Sequence, residues 1–109
     1  MRKAEVYCHD IKAGVISEEV PGRNYTFSYD EEYLADAAHE PISLTLPLRK
    51  EAYKSAFLFP FFTNMLPEGT NRKVVCRYWR LDEKDFFGLL LKIATFDTIG
   101  AVTVKEIVS

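Results

Sequence analysis

The sequence has 109 residues, a length that suits one domain and leaves no room for a second independent core. With 48% hydrophobic, 14% aromatic and 28% charged residues, the composition is that of a folded globular protein. The net charge of −2 provides no global positive field that would attract nucleic acid or anionic lipid. The length also excludes a two-lobed kinase or a (β/α)8 barrel, each of which needs roughly 250 residues.

The first half of the chain has the alternating apolar pattern of β-strands. Tyr25, Phe27 and Tyr29 lie two residues apart on one face, which is the clearest strand signal in the sequence. Residues 18–24 are expected to form a turn, and Asp30 is expected to cap a short helical turn over residues 31–35. Residues 50–55 are expected to form a polar loop. The predicted strands are residues 4–8, 12–16, 25–29 and 41–47.

The second half has helical patterns. Pro60 suits the first turn of a helix, where its missing N–H costs nothing. The predicted helices cover residues 61–66, run from Thr70 or Asn71 through Leu81, and start again at Asp82, with a capping role for Asp85. Their expected buried faces are Val74, Tyr78 and Leu81 in the second helix, and Phe86, Leu89, Leu90 and Ile93 in the third.

A closing strand is predicted over residues 101–108. Strands first, about three helices next and a strand last predict a small α+β domain over residues 1–109. The strands of its first half and its C-terminus are expected to be antiparallel.

The residues that usually carry chemistry do not form a catalytic pattern. His9 and His39 have no partner at metal-ligand spacing, and the five glycines form no phosphate-binding loop. Cys8 and Cys76 are expected to be reduced, buried thiols of a cytoplasmic protein. No apolar run is long enough to span a membrane. We therefore expect no catalytic residue, no cofactor and no metal.

Two segments point to binding instead. One is a basic run interleaved with Tyr78 and Trp79, which fits either a solvated helix face or a site for single-stranded nucleic acid; its basic residues are Arg72, Lys73, Arg77 and Arg80. The other is the segment 57–69, which is so rich in Phe that one helix face cannot bury all of its rings. Some of them are therefore expected to form a surface patch that binds a protein partner.

With this segment the sequence resembles the N-terminal subdomain of HipA-type serine/threonine kinase toxins, which is also known as a separate small protein called HipS. The two most specific segments are Ser43–Pro47 and Asn64–Gly69, while residues 94–97 depart from the glycine-rich turn that the family has there. The matching segments are Phe27–Asp30 with Tyr33-Leu34, Pro41–Pro47, Phe61–Gly69, Asp85–Leu90 and Gly100–Val102.

The resemblance implies a non-catalytic regulatory subunit that binds the N-lobe of a separate HipA-like kinase core and inhibits it, as an antitoxin does. A helix-turn-helix DNA-binding protein similar to HipB is a further possible member of the complex, and direct contact with nucleic acid is not implied. The expected partner-binding residues are Phe61, Phe62, Asn64, Met65, Leu66, Pro67, Glu68 and Gly69.

Three alternatives stay open at this point. An accessory subunit that stabilises or activates the kinase has the same features, and a nucleic-acid-binding module would use the basic helix over residues 72–80. An autonomous enzyme would need a pocket of perturbed titratable groups, and no sequence cluster offers one. The sequence also leaves open whether the gene is a split module or a shortened form of a longer kinase.

Overall fold

The fold is built on a five-stranded antiparallel sheet with the strand order β4-β3-β2-β1-β5. A computed structural model of the chain describes residues 1–36, 38–64, 66, 69–93 and 101–107. The strands are β1 (Arg2–Cys8), β2 (Ile11–Val20), β3 (Arg23–Tyr29), β4 (Tyr53–Ser55) and β5 (Val102–Glu106). The helices of the described residues are α1 (Glu31–Ala35), α2 (Pro60–Thr63), α3 (Gly69–Trp79) and α4 (Phe86–Ile93). This architecture confirms the α+β class.

Two tight turns set the register of the first three strands. His9 and Asp10 both have positive φ (51° and 64°), as a two-residue hairpin turn requires when it follows the twist of its strands. Pro21 and Gly22, with φ +78° at the glycine, join β2 to β3. The predicted hairpin is therefore confirmed. The turn over 18–24 is narrower than expected, because β2 continues to Val20.

One face of the sheet carries the core, and the helices cover it. The residues of β3 that point inward, Tyr25, Phe27 and Tyr29, are all buried, which confirms the strongest sequence signal. Phe62 of α2 packs against Phe27 with ring centroids 6.1 Å apart, and Phe87 of α4 packs against Tyr25 at 5.9 Å. The opposite face carries half-buried and exposed side chains, as expected for an antiparallel sheet with one face in water.

Gly14 lets β2 and β3 pair inside this core. A Cβ atom at position 14 would lie 2.2 Å from the backbone oxygen of Ser28, which no relaxed structure allows. The pairing of β1 with β2 also shifts by one residue here, since Val6 faces Gly14 while Tyr7 faces Lys12. The shift is a β-bulge in β2, and it places Ala13 and Gly14 together in the buried part of the strand.

A charged cluster ties the end of the sheet to α4. The guanidinium of Arg2 donates from Nε and Nη2 to Glu18 Oε1 at 2.9 and 2.7 Å, and from Nη1 and Nη2 to Asp85 at 3.1 and 2.7 Å. Glu18 Oε2 accepts further hydrogen bonds from the Tyr25 hydroxyl (2.8 Å) and the Gly22 N–H (3.1 Å). Glu18 is 2% exposed, and both of its carboxylate oxygens accept hydrogen bonds. It is therefore a buried structural residue and not the solvated turn residue that the sequence suggested.

Two predicted elements of the first half are wrong. Residues 41–47 form no regular strand: Ser43 and Leu46 make one isolated bridge around a tight turn, and Leu44 at its tip is 96% exposed. Ile42 and Leu46 are nevertheless buried, because the Tyr29 hydroxyl donates to the Leu46 carbonyl and accepts from the Ile42 N–H at 3.1 Å. The expected loop over 50–55 instead contains the edge strand β4.

The helices also differ from expectation in their limits. The predicted helix over 61–66 is α2, which begins at Pro60 and ends at Thr63. Asp85 caps α4 itself, since its Oδ1 accepts the Gly88 N–H at 3.1 Å, so that helix does not start at Asp82. Helix α3 ends at Trp79, short of the predicted Leu81, because Arg80 turns the backbone with a left-handed φ of 57° and donates its N–H to the Arg77 carbonyl.

The buried faces of the last two helices were predicted incorrectly in part. In α3 the structure buries Cys76, while Val74 and Tyr78 are 62% and 77% exposed. In α4 Leu89 and Leu90 are buried as expected, but Phe87 is the buried aromatic residue and Phe86 is 38% exposed. The closing strand is confirmed over Val102–Glu106, and its predicted last residue, Val108, lies outside the described residues.

Candidate partner-binding surface

The segment that begins at Phe57 passes from the surface into the core within a few residues. Phe57 is 78% exposed, and its N–H is held by the Ser55 hydroxyl at 3.2 Å. Phe59 and Phe62 are buried, with ring centroids 6.3 Å apart, and Pro60 occupies the first position of α2 between them. The aromatic rings of this segment are therefore mostly core or half-buried, and the Phe57 ring is left in water.

The structure separates the predicted partner-binding residues into different environments. Phe62 (0% exposed) and Leu66 (6%) are core residues in this chain, so a surface role for their side chains is not supported. Phe61 is half-buried against Phe62, with centroids 5.2 Å apart. Asn64, which follows the last residue of α2, and Gly69, which begins α3 with φ +57°, are exposed. Met65, Pro67 and Glu68 lie outside the described residues, as do residues 94–97 and Gly100.

The basic helix exposes most of its cations. Lys73 and Arg77 lie on the exposed side of α3, and Arg80, also exposed, follows directly after it. Arg72 is half-buried, and its guanidinium lies 5.1 Å from the centroid of the Phe86 ring. The Trp79 ring lies beside Tyr78 at 5.1 Å and under the Lys92 ammonium at 5.5 Å. This surface therefore combines cations with aromatic rings.

The titratable groups of the described residues serve the fold. His39 stacks on the Tyr33 ring (4.3 Å) and contacts its carbonyl oxygen through Nδ1, and His9 lies in the β1–β2 turn. Both cysteines are free thiols, and burial raises the pKa of Cys76, which makes it a poor nucleophile. The hydrogen bonds from Arg2 lower the pKa of Asp85.

No catalytic constellation emerges from these residues. An open depression beside α1 brings together Lys12, Asp30 and His39, but Lys12 is already paired with Asp30 (3.5 Å) and with Glu5 (3.4 Å). Within the described ranges, no group of three or more His, Cys, Asp or Glu side chains is placed to hold a metal ion. The helices in that part of the chain are also too short or too polar to cross a bilayer.

Comparison with known proteins identifies the family of this domain. The sequence model described as the HipA N-terminal domain matches residues 4–105. The chain belongs to the HipA N-terminal domain family. A solved structure of the N-terminal domain of a HipA toxin superposes with a TM-score of 0.73 at 26% identity, covering 100% of this chain and 95% of the other. The resemblance stated from the sequence is thereby confirmed.

Two relatives show the family in different settings. An uncharacterized protein of Haemophilus influenzae is 30% identical over 106 residues, which are 97% of this chain and 93% of the relative. A protein of Sinorhizobium fredii described as the putative kinase Y4mE is 33% identical over 76 residues. That match covers 70% of this chain but only 18% of the kinase, so this HipA N-terminal domain corresponds to a small part of the longer protein.

Sequence reasoning missed the exposed apolar ridge of this family member. Val74 and Tyr78 carry the spacing of a buried helix face, and nothing in the local pattern distinguishes them from the residues that α3 buries. The one available sign of their exposure was that a basic residue directly precedes each of them, Lys73 before Val74 and Arg77 before Tyr78. The cluster around Arg2 was missed because its partners lie 16 and 83 residues away.

Proposed function

We propose that this chain is a non-catalytic regulatory subunit that binds a HipA-type serine/threonine kinase core at its N-lobe and inhibits it. The match to part of a putative kinase carries the proposal, since in that relative the same domain is joined to a much longer chain. A domain that accompanies a kinase in one protein has a surface suited to the same kinase core when the two are separate chains. A HipB-like DNA-binding protein is a further candidate member of the complex.

The exposed residues around α2 support a contact there. Phe57 offers a large apolar ring to a partner, and Asn64 offers an exposed amide at the other end of the helix. Burying such a ring at the centre of an interface typically contributes more than about 1 kcal/mol. Because Phe62 and Leu66 are core residues, their side chains are not offered to the partner. Restricting the motion of the two kinase lobes is the inhibitory step that such a contact allows.

Co-expression with a HipA-type kinase that lacks its own N-terminal domain tests the proposal. The wild-type chain is expected to restore growth and to lower substrate phosphorylation by the purified kinase. A Phe57→Ala/Asn64→Ala variant is expected to lose both effects while remaining folded. Ile11→Ala is the matched control, because Ile11 is also an exposed apolar residue (46%) but lies at the start of β2. Phe57 lies near the other end of that strand, where the carbonyl of the preceding Ala56 accepts the Asn24 N–H.

Three results would contradict the proposal. Greater toxicity on co-expression would show an activator or stabiliser instead of an inhibitor. Unchanged kinase activity in the presence of excess wild-type chain would remove the regulatory role. Equal loss of function in Ile11→Ala and in the Phe57→Ala/Asn64→Ala variant would refute the placement of the contact at α2.

A further inference from the structure

The outer side of α3 presents an apolar ridge to water. Val74 and Tyr78 are one helical turn apart on the side opposite the buried Cys76, and they are 62% and 77% exposed. Trp79, 39% exposed, extends the ridge through its edge-to-face contact with Tyr78 at 5.1 Å. Single exposed apolar residues are ordinary, but a contiguous aliphatic and aromatic ridge on a helix is a feature of binding surfaces.

A row of cations runs beside this ridge. Lys73 and Arg77 are also one helical turn apart, which places their Cβ atoms roughly 5–6 Å from each other along the flank of Val74 and Tyr78. Neither forms an ion pair with a residue in the part of the chain that the structure describes. Both are therefore available to a partner.

The charge of this region is opposite to that of the rest of the chain. Residues 69–80 contain four of the 14 basic side chains and none of the 16 acidic ones, although the whole chain is acidic. A local positive surface on an acidic protein orients a negatively charged partner toward that one face. The charge of this face thus specifies an anionic occupant.

We propose that the outer face of α3 is a docking surface for an acidic protein groove, in which Val74 and Tyr78 enter the apolar floor and Lys73 and Arg77 pair with carboxylates on one rim. The inference rests on the proposed function in that the groove belongs to the kinase core. It adds a second contact to the one around α2.

Protein fits this face better than nucleic acid does. Val74 forms one end of the ridge, and an aliphatic side chain gives a base no ring to stack on. The Tyr78 and Trp79 rings meet at 84°, so they do not form parallel platforms for successive bases. An amphipathic helix that lays an apolar row into a groove, with charges along one edge, is a common mode of protein recognition.

Binding of the full chain to the purified kinase core, measured by calorimetry at about 50 mM and 500 mM salt, tests the inference. The Lys73→Glu/Arg77→Glu variant is expected to bind about tenfold or more weakly than wild type at low salt, with a smaller difference at high salt. Lys54→Glu/Lys105→Glu is the matched control, because it reverses two exposed cations on the edge strands β4 and β5. The control is expected to bind like wild type.

A second variant tests the apolar part of the surface. Tyr78→Ala is expected to weaken binding about tenfold at both salt concentrations, because it removes buried contact area rather than charge. Since Tyr78 is exposed, the variant is expected to keep the wild-type circular dichroism spectrum and unfolding midpoint.

Each other outcome overturns the inference. If wild type binds the kinase core and both α3 variants bind it as tightly as wild type does, the docking surface is refuted while the proposed function stands. Equal weakening in the Lys54→Glu/Lys105→Glu control would show a general charge effect. If wild type does not bind the kinase core at all, both the function and the docking surface are refuted. A wild-type chain that binds a single-stranded oligonucleotide through Lys73 and Arg77, with kinase binding unchanged in their variant, assigns the face to nucleic acid.

Discussion

Arg2 is the residue whose removal tests the described fold most directly. Its guanidinium makes four hydrogen bonds to Glu18 and Asp85, at 2.7 to 3.1 Å, and lies 5.3 Å from the centroid of the buried Phe87 ring. Arg2→Ala leaves the Glu18 carboxylate at a site that is 2% exposed, with only the hydrogen bonds from Tyr25 and Gly22. The substitution therefore creates an uncompensated buried charge.

The size of the effect follows from burial. Removing one partner of a fully buried ion pair costs about 3–5 kcal/mol. Here the side chains of Arg2 and Asp85 are 33% and 29% exposed, so water reaches part of the space that alanine leaves. We therefore expect a loss of about 2–3 kcal/mol in the free energy of unfolding. That loss is a large share of the roughly 5–15 kcal/mol by which a domain is stable.

Urea unfolding followed by circular dichroism and by the fluorescence of Trp79 measures this loss. Arg2→Lys is a useful comparison, because an ammonium cannot make the paired hydrogen bonds of a guanidinium to two carboxylates and is expected to restore only part of the stability. Glu18→Gln removes the buried charge itself. In the Arg2→Ala/Glu18→Gln double variant, the loss is therefore expected to be smaller than the sum of the two single losses.

Two results would refute this account of Arg2. An Arg2→Ala variant within about 0.5 kcal/mol of wild type would show that the cluster contributes no more than an exposed ion pair. Strictly additive losses in the double variant would show that Arg2 and Glu18 do not interact energetically, whatever their distance.

Three further predictions concern backbone, core and pH. Gly14→Ala is expected to lower the free energy of unfolding in urea by about 3 kcal/mol or more, because its Cβ would lie 2.2 Å from a carbonyl oxygen of β3. Gly22→Ala, which is strained only by its φ of +78°, is expected to lower it by about 1 kcal/mol. Equal losses in the two variants would refute the steric argument. Phe62→Ala is expected to lose about 3–5 kcal/mol and Phe57→Ala less than about 0.5 kcal/mol, whereas similar midpoints would contradict their different burial. The pKa of Asp85 is lower in the folded state than in the unfolded state, so its stabilisation is present above about pH 4 and is lost as the pH falls through the folded pKa. The unfolding midpoints of wild type and Asp85→Asn are therefore expected to converge toward pH 2, and a constant gap between them would refute this.

The parts of the fold that were predicted correctly are those with strong local signals. The alternation of Tyr25, Phe27 and Tyr29 is sufficient to define β3, because residues two apart on a strand share a face. The Pro21-Gly22 pair defines the following turn by the φ values that each residue favours. Long-range partners leave no such mark. Glu18 looks like a turn residue beside Glu19, and only the folded sheet brings Arg2 to it.

The segment around residues 41–47 shows why an apolar alternation is not always a strand. Ile42 and Leu46 are buried, as the pattern requires, but they are held by the Tyr29 hydroxyl and not by a neighbouring strand. A buried tyrosine that both donates and accepts a hydrogen bond replaces the ladder of a sheet here, and burial raises its pKa to about 12. The edge position adjacent to β3 is occupied by β4, whose polar sequence gave no strand signal.

The exposed ridge on α3 is where the helix departs from its sequence pattern, and the proposed docking surface follows from that departure. A helix that carries Val74 and Tyr78 one turn apart is expected to bury them, because burial is the usual reason for that spacing. The chain satisfies its core with Cys76 and the half-buried Val75 instead, and leaves the larger pair in water beside Lys73 and Arg77. Had Val74 and Tyr78 faced the core, Lys73 and Arg77 would form an ordinary solvated helix surface with no apolar contact beside it for a partner. The exposure of the ridge makes the helix two-sided, and its outer side is complete only when a partner with an apolar floor and an acidic rim covers it.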